Sequence, residues 1–530
     1  MKRIKVSSPF RPALLTAAMA VAAPAVQAAG DPGQIMARTC AACHASQDDG
    51  QYSRISQQRK TPEGWLMTIA RMQVMHGLEI SDADRRTLVK YLADRQGLSP
   101  AETAGARYAL ERRLNTLEAF DSQAFSETCA RCHSGARVAL QRRPASEWEH
   151  LVHFHLGQWP STEYQALARD RDWLGLALSE MVPELAETYP LESDAWAQWQ
   201  AAVKPDLNGQ WRLAGRMPGR GEMSGVMTVA AKGQDRFSLS FEGCYTNGEP
   251  LRGEGEAILY TGFEWRGNLE IDGIEMRQVF AIDGNRLAGR MFEVEHDEVG
   301  FDIEGAVLAA GESALLALQP GYLRAGETAE LTLIGAGLEG DIDLGEGVEV
   351  LQVLSRSDDR IRLRARAGRD AAGIRPVRVG ETEGVSLSVY DRIASLRVVP
   401  EYSVSRIGGN GSSTPKVFGL FDAEAWAAGA DGKAGTEDDY RIGIVPASWH
   451  VEPFDARAAE DQDTRFAGSI DAGTGRFTPG AAGPNPERRM GTNNAGNLKV
   501  VAEVRDGDRS LSGSGQMIVT VQRWNNPPIP

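Results

Sequence analysis

The chain has 530 residues, with 57 Lys and Arg against 72 Asp and Glu, and its formal net charge is −15. At about 100–200 residues per domain this length predicts roughly three or four domains, and the acidic balance argues against a nucleic-acid partner, because phosphates are bound by basic faces. Charged residues make up 24% of the chain and hydrophobic residues 42%, which indicates a folded protein rather than a disordered one.

The first 28 residues form a predicted signal peptide for export. Four basic residues precede an apolar, alanine-rich stretch at 13–25, and a small-x-Ala pattern that ends at Ala28 marks a cleavage site. The apolar stretch is shorter than the roughly 20 residues that span a membrane, and no later run is long enough either. We therefore expect an exported, periplasmic protein with no stable membrane anchor.

Four of the five cysteines fall in two copies of C-x-x-C-H, the attachment sequence for c-type haem. Two thiols at this spacing can each add to a vinyl group of haem, and the adjacent histidine then reaches the iron. A thioredoxin-like redox pair has no need of that histidine, and half of a zinc site is the other alternative. We predict two covalently bound haem c groups, whose cysteines and proximal histidines are Cys40, Cys43 and His44 for the first, and Cys129, Cys132 and His133 for the second.

The iron of a cytochrome takes a second axial ligand, commonly Met or His. Six of the eight histidines lie within residues 44–155, so ligands are available behind both motifs. Aligning Trp65 on Trp148 places Met72 opposite His155. We predict that Met72 binds the first iron and that His155 binds the second.

Other distal ligands stay open at this point. They are Met75 or His76 for the first haem, and His153 or His150 for the second. A thioether ligand raises the potential of a haem relative to a second imidazole. With Met72 and His155 as ligands, electrons would therefore run from the His133 haem to the His44 haem.

The chain divides into a helical part and a β part. Residues 82–94 follow Ser81, a candidate helix cap, and carry apolar positions with helical spacing, as in the closing helix of a cytochrome c fold. From Gly209 onward, short alternating runs are separated by turn signals such as Asp272-Gly273. This pattern predicts a multidomain protein with an all-α N-terminal region of tandem cytochrome c modules and three all-β domains.

The predicted β domains are an antiparallel β-barrel and two immunoglobulin-like sandwiches. The predicted boundaries are 1–28 for the signal peptide, 29–98 and 99–204 for the two cytochrome c modules, 205–312 for the barrel, 313–395 for the first sandwich and 396–530 for the C-terminal sandwich.

This layout resembles the α subunit of quinohemoprotein amine dehydrogenase over essentially the full chain, and most specifically at the two C-x-x-C-H motifs and the Trp-containing segments behind them. The resemblance implies an αβγ heterotrimer with a propeller β subunit and a small γ subunit that carries cysteine tryptophylquinone and the amine-oxidising site. It implies that this chain takes electrons from that quinone during the oxidative deamination of primary amines. A soluble periplasmic acceptor, such as a blue-copper protein or cytochrome c, would receive them. No catalytic residue is then expected on this chain.

Two other functions stay open from the residues alone. A dihaem cytochrome c peroxidase-like enzyme needs one five-coordinate iron to meet peroxide, whereas several candidate ligands follow both motifs here, which favours electron transfer. Another exported dihaem electron carrier also fits the motifs. An adhesive β protein would leave the haem motifs without a use.

Two features lie outside the haem motifs. Cys244, in a strand-like run, is expected to be a small buried hydrophobe. The acidic, glycine-containing loop at 430–439 has the composition of a calcium loop but lacks the full EF-hand spacing of ligands, so it is not counted as a site.

Overall fold

The computed structural model describes residues 30–47, 50–164, 167–308, 311–409 and 414–521. A helical N-terminal region is followed by three β domains, the first of which is a closed barrel of eight strands. The predicted signal peptide, 1–28, lies outside the described residues. Within the described ranges, no helix is both long and apolar enough to cross a membrane.

Eleven helices build the N-terminal region within the described ranges, and seven of them have a side-chain hydrogen bond that caps the N-terminus. They are α1 (Pro32–Thr39), α2 (Pro62–His76), α3 (Asp82–Arg95), α4 (Pro100–Thr103), α5 (Arg107–Leu110), α6 (Gln123–Thr128), α7 (Ala136–Ala139), α8 (Ala145–Gln158), α9 (Trp173–Leu176), α10 (Val182–Thr188) and α11 (Asp194–Ala201), with 3₁₀ turns at Ala104–Ala106 and Pro160–Glu163, a π-helical turn at Ala177–Met181, and the two-residue strands β1 (Arg59–Lys60) and β2 (Gln141–Arg142). The side chain of Ser81 accepts the Asp84 N–H and so caps α3, as the sequence predicts.

Each half of this region has its own small core. In the first half, Trp65 on α2 is 1% exposed and packs with residues of α1 and α3. In the second half, Trp148 on α8 is fully buried among residues of α6, α9 and α10. Cys40 packs against the first core and Cys129 against the second. Each C-x-x-C-H motif is therefore held against an apolar cluster of its own.

The barrel is a meander of eight antiparallel strands. They are β3 (Gly209–Met217), β4 (Gly221–Gly233), β5 (Arg236–Tyr245), β6 (Pro250–Tyr260), β7 (Glu264–Ile271), β8 (Ile274–Asp283), β9 (Arg286–Glu293) and β10 (Gly300–Val307). Each strand pairs with the next, and β10 closes on β3. Inward side chains, including the fully buried Trp211, Trp265 and Phe280, fill the interior. The predicted hairpin between β7 and β8 turns at Asp272 and Gly273, whose φ angles are 49° and 84°.

Cys244 is half-buried on β5, so the expectation of a buried core cysteine is wrong. Successive side chains of a strand point to opposite faces, and on β5 the inward positions are taken by Phe241 and Tyr245. The Cys244 Sγ lies instead 3.6 Å from a guanidinium nitrogen of Arg360 in the following domain.

The third domain consists of two four-stranded sheets around one core. Its strands are β11 (Ala314–Gln319), β12 (Tyr322–Arg324), β13 (Thr328–Ala336), β14 (Ile342–Asp343), β15 (Val348–Arg356), β16 (Arg360–Ala367), β17 (Gly373–Val379) and β18 (Thr382–Tyr390). The sheet orders are β11-β13-β16-β15 and β12-β18-β17-β14. The inward residues of both sheets, such as Leu331, Leu363 and Val377, form a single apolar cluster.

The C-terminal domain packs a three-stranded and a four-stranded sheet over a second such cluster. Its elements are β19 (Ser395–Val399), β20 (Tyr402–Arg406), β21 (Asp422–Ala427), β22 (Tyr440–Ile444), β23 (Ser448–Pro453), α12 (Ala456–Glu460), α13 (Asp463–Phe466), β24 (Gly468–Ile470), β25 (Phe477–Pro479), β26 (Gly496–Asp506) and β27 (Arg509–Thr520), with a 3₁₀ turn at Arg489–Gly491. The sheet orders are β19-β21-β22, β20-β27-β26-β23 and a β24-β25 pair.

The barrel anchors the helical region through polar contacts. Arg266 on β7 pairs with Glu63 at the start of α2, with Nε and Oε1 2.6 Å apart. The Thr261 N–H donates to Asp94 Oδ1 at 2.8 Å, and the Thr261 carbonyl accepts the indole N–H of Trp199 at 2.8 Å. Both halves of the helical region are thereby tied to one rigid barrel.

Glu102 on α4 joins the two halves of the helical region. Strands β1 and β2 pair antiparallel with Arg59 opposite Arg142, and both guanidinium groups donate to Glu102, at 2.7 and 3.1 Å to Oε1. The side chains of all three residues are at most 7% exposed. Burial alone would raise the pKa of Glu102, but the hydrogen bonds from Arg59 and the Ser99 N–H, with the charges of both arginines, lower it to about 2.

We expect Glu102→Gln to destabilise the helical region by about 3 kcal/mol, because removing one member of a buried ion pair leaves the other charges uncompensated. The pKa of Glu102 is held below its ordinary value of about 4.3, so its stabilising contribution is complete above that pH and is lost as the pH falls through about 2. Thermal unfolding of wild type and variant should therefore differ more at pH 7 than at pH 3.

Glu330→Gln is the matched control. Glu330 also pairs with two arginines, Arg362 and Arg364, but its side chain is 49% exposed, so the change should stay within about 0.5 kcal/mol. An equal effect of the two substitutions would contradict the assignment of Glu102 as the bridge between the halves.

Candidate haem sites

Both C-x-x-C-H motifs begin at the C-terminal end of a short helix and have nearly the same backbone geometry. Cys40 ends α1 with φ −102° and ψ −33°, and Cys129 ends α6 with φ −104° and ψ −31°. In the first motif, the His44 N–H donates to the Cys40 carbonyl at 2.9 Å, which closes the turn. The first cysteine of each pair is half-buried, and the second is exposed. The two predicted attachment sites are therefore built alike.

Three predicted axial histidines are oriented through Nδ1. This atom lies 2.9 Å from the Ser53 carbonyl oxygen in His44, 3.0 Å from that of Ser134 in His133, and 2.8 Å from that of Leu151 in His155. A carbonyl oxygen only accepts, so Nδ1 carries the proton and a neutral ring presents Nε2 as its free lone pair. A histidine that ligates a metal is usually oriented by this kind of second hydrogen bond.

The centroids of the His133 and His155 imidazole rings are separated by the distance that a shared iron requires. Their centroids are 6.5 Å apart, and their planes differ by 27°. An imidazole nitrogen binds a metal ion at about 2 Å and the ring centroid lies roughly 1.1 Å behind it, so two rings on opposite sides of one ion have centroids about 6.3 Å apart. Burial lowers the pKa of both histidines, which keeps the rings neutral, as ligands must be. The residues present therefore fit a haem held by two histidines.

Of the three histidines on α8, His155 is the one whose ring lies near the ring of His133. Its side chain is half-buried and also lies against Trp173, with ring centroids 5.6 Å apart. His150 and His153 are each 53% exposed and lie near Glu147 and Glu149 instead. This arrangement favours His155 among the ligands left open by the sequence.

Met72 lies on α2 at the position that corresponds to His155 on α8, seven residues after the buried tryptophan. It is half-buried, whereas Met75 is 49% exposed and His76 is exposed at the end of the helix. Burial thus favours Met72, and its ligation opposite His44 stays a prediction.

Glu118 holds the segment behind the second motif. Its carboxylate accepts the Gly135 N–H at 2.9 Å, the Tyr108 hydroxyl at 2.7 Å and the Ser134 hydroxyl. Burial would raise the pKa of Glu118, but these hydrogen bonds lower it, so the group stays ionised. Because the Ser134 carbonyl orients His133, Glu118 is a positioning residue. The sequence analysis missed it, since it lies in a loop without periodicity and 16 residues before Ser134.

The first thiol of the second motif is partly enclosed by protein. Burial, together with the nearby charge of Glu184, raises the pKa of Cys129 to about 12. In the described part of the chain, no group of three or more His, Cys, Asp or Glu side chains could hold a metal ion, and this includes the acidic loop at 430–439.

Comparison with known families accounts for nearly the whole chain. The model described as the haem-binding part of the quinohemoprotein amine dehydrogenase alpha subunit matches residues 29–196. Those described as domains II, III and IV of the same subunit match residues 204–307, 312–391 and 396–529. These matches define a haem-binding subunit of an oxidoreductase. The chain belongs to the family of quinohemoprotein amine dehydrogenase alpha subunits, as the sequence analysis predicts.

Other comparisons add little. No curated protein matches the chain. Among solved structures, a redesigned β-barrel bound to DFHBI is 16% identical with a TM-score of 0.18 and covers 19% of this chain and 94% of its own. Drosophila N-cadherin EC1-3 is 10% identical with a TM-score of 0.20 and covers 55% and 91%. A SusE-like surface-located polysaccharide-binding protein from Bacteroides thetaiotaomicron is 10% identical with a TM-score of 0.14 and covers 57% and 55%. These scores support no conclusion.

We expect Met72→His to lower the reduction potential of the haem at His44 by on the order of 0.1 V, within the range of about 0.8 V that axial ligands span. The reason is that imidazole stabilises the oxidised iron more than a thioether does. Spectroelectrochemistry of the wild type and the variant measures the change, and the potential of the other haem should stay as it is.

Met75→His is the matched control, because it makes the same substitution three residues further along α2 at an exposed position. It should leave both potentials unchanged. A fall in potential with Met75→His but not with Met72→His would show that Met75 is the ligand.

Proposed function

We propose that this chain is the dihaem c electron-transfer subunit of a periplasmic amine dehydrogenase. The observation that carries the proposal is the pair of imidazoles of His133 and His155, whose ring centroids are 6.5 Å apart, beside a C-x-x-C-H motif. The match of residues 29–196 to a haem-binding family supports it, and so does the second, similarly built motif at His44. Two irons that are each bound on both sides suit electron transfer better than substrate binding at a metal.

Two kinds of bond to this chain would hold each haem: covalent bonds from cysteines and iron ligation by His or Met. The thiols of Cys40, Cys43, Cys129 and Cys132 would hold two haems covalently, each sulfur bonding to one carbon of a vinyl group and the thiol hydrogen passing to the other. His44 and His133 would be the first protein ligands of the two irons, and Met72 and His155 would be the second. When bound, haem supplies an iron that accepts and releases single electrons.

Membership of the family supports the presence of partner subunits. We propose a β propeller subunit and a small γ subunit, and the γ subunit carries cysteine tryptophylquinone and the site that oxidises primary amines. This chain takes electrons from that quinone at the side of the His133 site. It passes them at the His44 site to a soluble acceptor such as a blue-copper protein or cytochrome c. The thioether of Met72 and the imidazole of His155 set this direction, because a thioether favours the reduced iron.

The finer architecture belongs to the same proposal. The equal backbone geometry of Cys40 and Cys129 and the corresponding tryptophans of α2 and α8 support two tandem cytochrome c modules, 29–98 and 99–204. The paired sheets of the last two domains support immunoglobulin-like sandwiches. An export signal that ends at Ala28 would bring the chain to the periplasm, where haem c attachment takes place.

Purification of the native assembly, followed by addition of a primary amine, tests the proposed function. Two further chains should co-purify, the mass of this chain should include two haems, and the amine should reduce both haems, as followed by absorbance. Isolation of this chain alone, a mass with fewer than two haems, or consumption of peroxide without reduction by amines would contradict the proposal.

A further inference from the structure

A group of buried cations lies between the two halves of the helical region. Lys60 on β1 and Arg143, which follows β2, have side chains that are 3% and 4% exposed. Each lies over the buried tryptophan of its own half: Lys60 Nζ is 5.4 Å from the centre of the Trp65 ring, and Arg143 Cζ is 5.6 Å from that of Trp148. The strand pair β1-β2 brings them together, because it joins the segments from which both project.

Two more arginines extend this cation cluster, which we define as Arg54, Lys60, Arg71 and Arg143. The guanidinium of Arg71 lies 4.8 Å from the centre of the Phe154 ring, and that ring lies 6.4 Å from the ring of His155. Burial, together with the charges of Arg143 and Arg71, holds the pKa of Lys60 well below its ordinary value. The cluster therefore extends from the interior of the helical region to the side of the second haem site.

The described residues do not supply enough negative charge for these cations. Glu147, 1% exposed, lies 3.2 Å from Arg54 and 3.6 Å from Arg143, so two cations already share it. Lys60 Nζ donates to the Thr68 hydroxyl at 2.7 Å, and no carboxylate of the described ranges pairs with it. Of the four cations, Lys60 and Arg143 are buried, Arg71 is half-buried and Arg54 is 49% exposed, and Lys60 is the buried one without an ion-pair partner among the described residues. An uncompensated charge in a protein interior is costly unless a bound group neutralises it.

A second observation also indicates a missing acceptor. The indole N–H of Trp148 is buried, and no acceptor for it exists among the described residues. Its counterpart in the first half, the Trp65 N–H, donates to the Gln96 carbonyl at 3.0 Å. A buried donor is nearly always hydrogen-bonded, so an oxygen of a bound group is expected beside Trp148, next to Arg143.

We propose that the cation cluster and the Trp148 N–H bind the propionate carboxylates of the haem held between His133 and His155. The inference rests on the proposed function, since it takes a haem at that site as given. Each haem carries two propionates. Their negative oxygens would neutralise the buried cations and would accept the hydrogen bond of the Trp148 indole N–H. Cations that hold the propionates would also favour the reduced iron, because reduction removes one positive charge from the centre. The cluster would therefore raise the potential of that haem relative to the same two-imidazole site without the cations.

Lys60→Met in the full chain, loaded with haem in its host, tests the proposal, because Met nearly keeps the volume and removes only the charge. The equilibrium constant for reduction of the His133 haem should fall about tenfold, which is about 59 mV for one electron. Lys60→Arg should restore the potential. The propionate bending bands in the resonance Raman spectrum should shift in Lys60→Met and in Trp148→Phe. Arg86→Met, which removes an exposed cation from α3, is the matched control and should change the equilibrium less than twofold.

Thermal stability separates the two possible states of Lys60. If Lys60 pairs with a propionate, Lys60→Met lowers the melting temperature of the haem-loaded protein. If Lys60 has no anionic partner, the substitution removes a buried lone charge and raises it. Both haems attached with an unchanged potential and a higher melting temperature would overturn the propionate proposal alone. The effect of Lys60→Met should also be measured in the assembly and in the isolated chain. If the substitution raises the melting temperature only in the isolated chain, a carboxylate of a partner chain pairs with Lys60, and the propionate proposal is overturned. A mass without haem at Cys129 and Cys132 would overturn the proposed function as well.

Discussion

The haem sites depend on one constraint, which is that a neutral imidazole has a single acceptor nitrogen. When a backbone carbonyl accepts a hydrogen bond from the Nδ1–H group, the ring is fixed in one tautomer and the lone pair of Nε2 is free for a metal ion. Ser53, Ser134 and Leu151 provide these carbonyls for His44, His133 and His155. For His133 and His155 the outcome is two rings at the separation of ligands on opposite sides of one ion.

The surrounding structure keeps those carbonyls in place. The Leu151 carbonyl belongs to α8, which is fixed by the buried Trp148. The Ser134 carbonyl lies in a loop that the carboxylate of Glu118 gathers through several hydrogen bonds. Glu102 joins the two halves of the helical region. Arg266 and Thr261 of the barrel bind that region through Glu63 and Asp94. The β domains contribute rigidity and surface, and the haem chemistry is confined to the N-terminal residues.

Local features were predictable from the sequence, and features that depend on distant contacts were not. The C-x-x-C-H motifs, the cap at Ser81 and the turn at Asp272-Gly273 each depend on neighbouring residues, and the last two are confirmed. Alignment of the two tryptophans selected His155 from the sequence but left His150 and His153 open, because the phase of α8 relative to His133 comes only from the fold. The contacts of Glu118 and those of the cation cluster join residues from separate segments, so no sequence spacing predicts them. Cys244 was misplaced because the inward face of β5 could not be assigned before the barrel register was known.

Electron paramagnetic resonance of the oxidised, haem-loaded protein tests the central claim most directly, with His155→Ala as the comparison. The account predicts that both irons are low-spin in the wild type and that one of them has the anisotropy of two imidazoles with nearly parallel planes, as the 27° angle requires. In His155→Ala that signal should become high-spin while the other stays unchanged. A high-spin iron already present in the wild type, or a wild-type spectrum that survives His155→Ala, would contradict the account.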